Sequence, residues 1–479
     1  MADNVKINIL VFLLLTLILF TNAHANEKNL KQIYYIALKN SPYLKSVYSQ
    51  YQIASLKPDI KFGELLPNLS LTVSPGVLLA SEGEFEGTTV GAIFNVALSQ
   101  VLFDYNAYKA YEALDRNSLS EQAKYLNQKQ LFIASVVKTY FKIVYIHKKQ
   151  LRINSKLAAQ KLLLEISKEK LEKKLLIAGD VRQIEASYYL TKSSVISNYN
   201  DLAIAYEDLY KLTIEDIDRI KYIDTSELID RLKIHNLQYW LDQAIMYNYE
   251  LQSKQYSKEF RAGSISACYG KFLPRISLKL NYGYNINPFI VPGTNLVFET
   301  EGNHIRNQIV SNVEQTCINQ TNTSTIPVGT GGLMNVPLIA RYVSGSIGIV
   351  LTWNIFSGGV TSSLLKKSAD QYESSSYEYT QVKRQIETVI QSNFSTIKNL
   401  YRIIEINKST ISSANNAYLL LQKTYSNNLV NVSDVLIQLD KKYSYEITLE
   451  ENKYKFLTAY INLLLLSGGI TSSMTSLYL

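Results

Sequence analysis

Apolar and polar positions alternate in four stretches of the chain, and between them the pattern has a helical period. From Val90 to Leu102 one face reads Val90, Ala92, Phe94, Val96, Leu98 and the other Gly91, Ile93, Asn95, Ala97, Ser99. From Val343 to Ile355 the faces read Val343, Gly345, Ile347, Ile349, Leu351, Trp353, Ile355 against Ser344, Ser346, Gly348, Val350, Thr352, Asn354. Two shorter stretches repeat the theme. Leu69, Leu71 and Val73 alternate with Ser70 and Thr72, and Ile276, Leu278 and Leu280 alternate with Ser277 and Lys279. A period of two predicts strands near 68–78, 89–103, 275–285 and 342–356. About ten residues of such alternation suit a transmembrane β-strand, although a half-buried strand of a soluble sheet alternates in the same way. Four strands are too few to close a barrel, and open edges do not sit in lipid. If these strands cross a membrane, several chains must share one barrel.

The helical stretches are long. From Asp104, an N-cap residue by type, to Ala178 there is neither proline nor glycine. That predicts a helix of about 75 residues, or about 110 Å. Gly179-Asp180 is expected to break it, with a helical pattern resuming from Gln183. A second long helix is expected from a Ser357 cap to about Asn428, and after Leu429 to Asp434 the pattern resumes and runs to about Leu466. Ile390, Phe394, Ile397, Tyr401 and Ile404 are spaced 4-3-4-3, and Ile411, Tyr418 and Tyr425 continue every seven residues, which is a coiled-coil seam. Each half therefore ends in a helical hairpin, with tips near 179–183 and 429–434.

The two halves are copies. Leu66-Pro67-Asn68-Leu69-Ser70-Leu71 returns as Leu273-Pro274-Arg275-Ile276-Ser277-Leu278, and each copy follows a helical stretch, Ala37–Ser46 or Ala244–Ser253. A repeat this long is a duplicated domain, since solenoid units recur every 20–50 residues or so. The first repeat is 26–228 and the second 229–479. They differ in the connection between their strands. It is short around Ser81-Glu82-Gly83-Glu84, but runs from about 285 to 341 in the second copy, with four prolines and Cys317. So long a loop is functional or mobile. If the strands cross a membrane, residues near 303–330 are expected on the side opposite the helices, at the cell surface.

The N-terminus carries an address. Lys6 precedes an apolar run from Ile9 to Phe20 broken only by Thr16, and Ala23-His24-Ala25 is a small-residue cleavage pattern. Residues 1–25 read as a signal peptide cleaved between Ala25 and Asn26, since the run is too short to span a bilayer. No later run of apolar residues is long enough for a membrane helix. The net charge of +8 comes from lysines interleaved with glutamates, as in Lys168-Glu169-Lys170-Leu171-Glu172-Lys173, which describes a solvated helix face better than a nucleic-acid surface. Two distant cysteines give no disulfide framework. The histidines lack ligand spacing, and neither a phosphate-binding loop nor a nucleophile elbow occurs. The expectation is no enzyme, no metal, no cofactor and no nucleic-acid partner.

The leader, the duplication, the Leu-Pro strand starts, the Phe103-Asp104 and Phe356-Ser357 junctions and the coiled-coil hairpins together resemble the TolC-like outer membrane efflux protein family, across essentially the whole mature chain. These are the outer membrane factors of tripartite efflux pumps and type I secretion systems. The resemblance implies a mixed α and transmembrane β fold. In it a homotrimer in outer membrane lipid forms a twelve-stranded β-barrel from four strands per chain, continued by a long α-helical coiled-coil tunnel across the periplasm. It implies export of small molecules, proteins or both, with a periplasmic adaptor (membrane fusion) protein and an inner-membrane transporter of ABC or RND type as partners. At the hairpin tips it implies adaptor contacts by Ala178, Gly179, Asp180, Val181, Leu429, Asn431 and Val432. It also implies a periplasmic gate. Asp434 falls on a position whose carboxylates ring the narrow end, while the second such position is Ile437. Tyr425 falls on a tyrosine that helps hold tips closed, but Gln183 stands for the expected aspartate and Val430 for the expected arginine. From the residues alone, Tyr425 also reads as seam packing and Asp434 as a first-turn carboxylate favoured by the helix dipole. An exported coiled-coil surface or adhesin-type protein is the alternative. It accounts for the helices but not for strands at duplicated positions.

Overall fold

The computed structural model describes residues 27–82, 85–286, 341–427 and 429–470. The cleavage site at Ala25 and Asn26, most of the long connection and Cys317 lie outside them. Local chemistry explains where the elements begin. Asn29 and Gln32 form a capping box on helix α1 (Leu30–Asn40). Pro42 opens α2 (Pro42–Gly63) at the position where its missing N–H is not needed. The stretch expected as one helix over Ala37–Ser46 is therefore two, parted at Ser41. The second copy is parted in the same way at Asn248, between α6 (Leu237–Tyr247) and α7 (Tyr249–Gly270).

Strands β1 (Asn68–Glu82), β2 (Phe85–Phe103), β3 (Arg275–Ile286) and β4 (Arg341–Thr352) form one antiparallel sheet in sequence order. The fourth ends earlier than 356. Beyond it Trp353 turns aside and donates from Nε1 to the Phe272 carbonyl at 3.0 Å. The register aligns Leu69, Leu98, Leu280 and Ile347 in one row across the sheet and Val73, Phe94, Tyr284 and Val343 in another. The opposite face aligns Asn68, Ser99, Lys279 and Gly348, then Ser70, Ala97, Asn281 and Ser346. The apolar face is bare: Leu69 is 70% exposed, Ile347 71% and Ile349 70%.

The long helices are α3 (Tyr105–Glu172), α4 (Ala178–Thr213), α8 (Val360–Ser426) and α9 (Val432–Leu466), with a short α5 (Thr225–Arg231) between the repeats. Asp104 caps α3, its Oδ1 accepting from the Ala107 N–H at 2.9 Å. Ser357 Oγ accepts from the Thr361 N–H at 3.2 Å, but α8 itself starts three residues later, after Gly358 and Gly359 at φ +61° and +82°. The first hairpin does not break at Gly179-Asp180. It breaks at Lys173–Ile177, where Lys174 takes a left-handed φ of 55° and the Leu175 N–H closes on the Lys170 carbonyl. Gly179 and Asp180 lie in the first turn of α4. The seam of α8 buries Ile390, Ile397, Ile404, Tyr418 and Tyr425, one residue per heptad. Tyr401 is 40% exposed and Phe394 half-buried, and Leu400 is buried in their stead.

The chain divides into two compact units that cut across the two sequence repeats, because α3 and α8 each pass from one unit into the other. One comprises 1–48, 125–249 and 383–479, the other 49–124 and 250–382. The second holds the sheet. In it α7 meets the start of α3 closely. A methyl group on Gly270 would lie 2.5 Å from the Asn106 nitrogen, and Asn106 Nδ2 donates to the Ala267 carbonyl at 2.6 Å. Cys268 is buried beside this crossing, its Sγ 3.1 Å from Ser368 Oγ. The first unit is centred on Tyr140, Phe141, Ile133, Phe456, Ile390 and Ile397, all less than 2% exposed.

Candidate functional site

The residues singled out for gating and docking gather where the two hairpins end, within the first unit. An apolar cluster of Leu163, Leu164, Val181, Ile184, Tyr418, Tyr425, Val432, Val435, Leu436 and Leu439 binds the ends of α3, α4, α8 and α9 together. Val430 packs on its edge, half-buried, so the position expected to carry a cation is part of the hydrophobic seal.

Tyr425 sits in the last turn of α8 and is 3% exposed. Its hydroxyl meets Ser167 Oγ of α3 at 2.8 Å. Burial pushes the phenol pKa above its ordinary value, and the Asp180 charge adds to this, so the hydroxyl keeps its proton and can donate. Lys170, one turn beyond Ser167, places its ammonium 3.9 Å from the centroid of the Tyr425 ring and donates to the Tyr425 carbonyl. That carbonyl is among the last of α8, where a helix leaves acceptors without intrahelical donors and carries partial negative charge. Lys170 thus caps one hairpin from the other and covers an aromatic face at the same time. Desolvation holds the Lys170 ammonium below the usual lysine pKa.

Gln183, exposed, accepts from Ser433 Oγ at 2.9 Å and so ties the second turn of α4 to the first turn of α9. The carboxamide oxygen does here what a carboxylate would do, without the charge. Asp434 is exposed in the first turn of α9, whose cap is Asn431, accepting from the Ser433 N–H at 3.0 Å. Ile437, three residues on, is 52% exposed.

The sequence reading missed Lys170 and Ser167. Lys170 was grouped with a solvated charged face, and only its neighbours Lys168, Glu169, Glu172 and Lys173 are exposed. Of the tip residues expected to touch a partner, Ala178, Gly179, Leu429 and Asn431 are exposed and Asp180 is half-buried. Val181 and Val432 belong to the buried cluster, because each points inward from the first turn of its helix. Leu175 and Ile177, 55% and 69% exposed, present apolar surface that the glycine-based placement of the tip overlooked.

With this geometry in hand, comparisons with known proteins are informative. Residues 339–469 match the family model described as outer membrane efflux protein. Outer membrane protein TolC of Vibrio cholerae is 21% identical, over 91% of this chain and 90% of that one. The alkaline protease secretion protein AprF of Pseudomonas aeruginosa is 19% identical, over 91% of this chain and 83% of its own length. Among solved structures, CusC, described in terms of folding and transmembrane channel formation, superposes with a TM-score of 0.74 at 15% identity, covering 92% of each chain. That likeness shows that the two chains share a fold.

Proposed function

We propose that this chain, a TolC-like outer membrane efflux protein, is one third of a homotrimeric duct. Its sheet closes with two copies into a twelve-stranded barrel in the outer membrane, and its helices continue the duct into the periplasm. The observation that carries this reading is the sheet itself. Its apolar face is exposed in the single chain, and among the described residues its outer strands β1 and β4 each have one unpaired edge. Lipid solvates the first, but an unpaired backbone group in hydrocarbon costs several kcal/mol, so the edges need strands from neighbouring copies. A coiled-coil surface protein has no use for such a sheet. The two repeats, 26–228 and 229–479, then contribute two barrel strands and one hairpin each.

The duct exports small molecules, proteins or both. The efflux family description supports the first cargo, and the relative named for alkaline protease secretion supports the second. A periplasmic adaptor docks on the exposed tip residues Leu175, Ile177, Ala178, Gly179 and Leu429, and an inner-membrane transporter of ABC or RND type loads the duct. Cross-linking in native outer membranes is expected to give a species of three chains. A monomer that retains its full β-content in detergent would sink the proposal.

Asp434, exposed at the start of α9, then recurs three times around the periplasmic mouth. Three carboxylates in a narrow opening focus a negative potential and attract cations. Asp434→Asn is expected to relieve block by divalent cations in planar-bilayer recordings while leaving the trimer intact, since a first-turn carboxylate contributes only about 0.3–1 kcal/mol through the helix dipole. Equal block of wild type and variant would remove Asp434 from the mouth.

A further inference from the structure

We infer that Lys279 is a selectivity site for anionic groups in the lumen of the barrel. The inference rests on the trimeric reading, which makes the polar face of the sheet the inner wall. Lys279 stands on that face toward the end of the sheet where β1 begins, in the row of Asn68 and in register with Ser99 on β2 and Gly348 on β4. Both neighbours are small, and a methyl group added at Gly348 would meet nothing within 4 Å, so space beside the lysine is open.

What makes this lysine informative is the lack of competitors. Among the described side chains of the polar face, the charged ones are Lys279 and Arg275, and the rest are Ser, Thr, Asn, Gly or apolar residues. Arg275 is engaged, its Nε 3.5 Å from Asp104 Oδ2. No ion pair of Lys279 occurs among the described residues. Threefold symmetry turns one unpaired ammonium into a ring of three at one height. Walls of low dielectric strengthen the field of such a ring, and at physiological salt it reaches about 8 Å into the water. The ring favours anions and the carboxylate or phosphate groups of passing cargo, the reverse of what Asp434 does at the mouth.

The test is the reversal potential of the reconstituted trimer across a potassium chloride gradient, read as the ratio of potassium to chloride permeability. Lys279→Gln is expected to raise that ratio by about twofold or more, and Lys279→Glu further, while Lys279→Arg keeps the wild-type value. The differences should fade in about 1 M salt, where screening acts over about 3 Å. Inorganic tripolyphosphate should reduce wild-type conductance and spare Lys279→Gln. Conducting trimers whose permeability ratio is the same in wild type, Gln and Glu variants would overturn the assignment to Lys279 alone. If the variants fail to assemble, wild type decides: conductance indifferent to tripolyphosphate also overturns it. Absence of any three-chain channel in wild type would instead defeat the trimeric reading beneath it.

Discussion

Gly468→Ala should cost the protein a large share of its stability. Helix α9 ends at Leu466, and Gly468 follows with a φ of +70°, a conformation that costs other residues about 1–2 kcal/mol. Space is the larger obstacle. A methyl group there would lie 2.2 Å from the Tyr247 carbonyl oxygen and 2.8 Å from its carbon, and both are backbone. Neither side can give way easily. Asn248 Nδ2 donates to the Leu466 carbonyl at 2.9 Å, and Gln130 Nε2 to the Gly468 carbonyl at 2.8 Å, so the end of α6, the middle of α3 and the end of α9 are tied at this point. Overpacking and strain together amount to about 2–5 kcal/mol. Set against a typical margin of about 5–15 kcal/mol, such a change is large enough to lower the folded yield. The readout is the amount of heat-stable oligomer in outer membranes. Gly179→Ala is the control. Its methyl group would meet only Ile177 Cδ1 at 4.0 Å, and alanine suits a helix better than glycine. Equal yields of the two variants would show that the α6–α9 junction yields more than its geometry implies.

The parts of this molecule that were legible in the sequence are those in which one periodicity holds for many residues. Strand alternation of period two put Leu98 and Leu351 on the same side, and the register agrees, because a slip of one residue would move every apolar side chain to the polar face. Asp104 was readable as a cap because its side chain acts on its own neighbours. The turns were less legible. The break at Lys173–Ile177 contains no glycine or proline; its left-handed residue is a lysine, and the nearest glycine misdirected the placement by several residues. Val181 and Val432 lie at tips by sequence number yet face inward, since the first turn of a helix already has an inside and an outside. Lys170 was the largest omission. Nothing in a run of alternating lysines and glutamates tells which of them meets a ring on a helix more than two hundred residues away. The one available hint was that the implied partners of Tyr425 were both absent, so that a tyrosine buried at that place needed others.

That substitution of partners leads to the second large effect: Lys170→Met should loosen the tip. Methionine keeps much of the buried stem and removes the charge, so the apolar cluster persists while the clasp is lost. With the ammonium go the contact with the face of the Tyr425 ring and the hydrogen bond to its carbonyl. Because Lys170 is partly solvated, the lower part of the usual range applies, about 1–2 kcal/mol per protomer, or roughly a five- to thirtyfold shift in the local equilibrium between closed and open. Three protomers that open together multiply the effect. Lys170→Arg retains a cation over the ring and should stay near wild type. Tyr425→Phe removes only the contact with Ser167 Oγ and should lie between them. In single-channel recordings the expected order of time spent in the fully conducting state is Met, then Phe, then Arg with wild type. Thermal unfolding should scarcely separate the four proteins, because the buried cluster around Val181, Ile184 and Val435 carries the packing at this end. If Lys170→Met and wild type spend equal time open, Tyr425 is held by its burial alone and the clasp does not gate the duct.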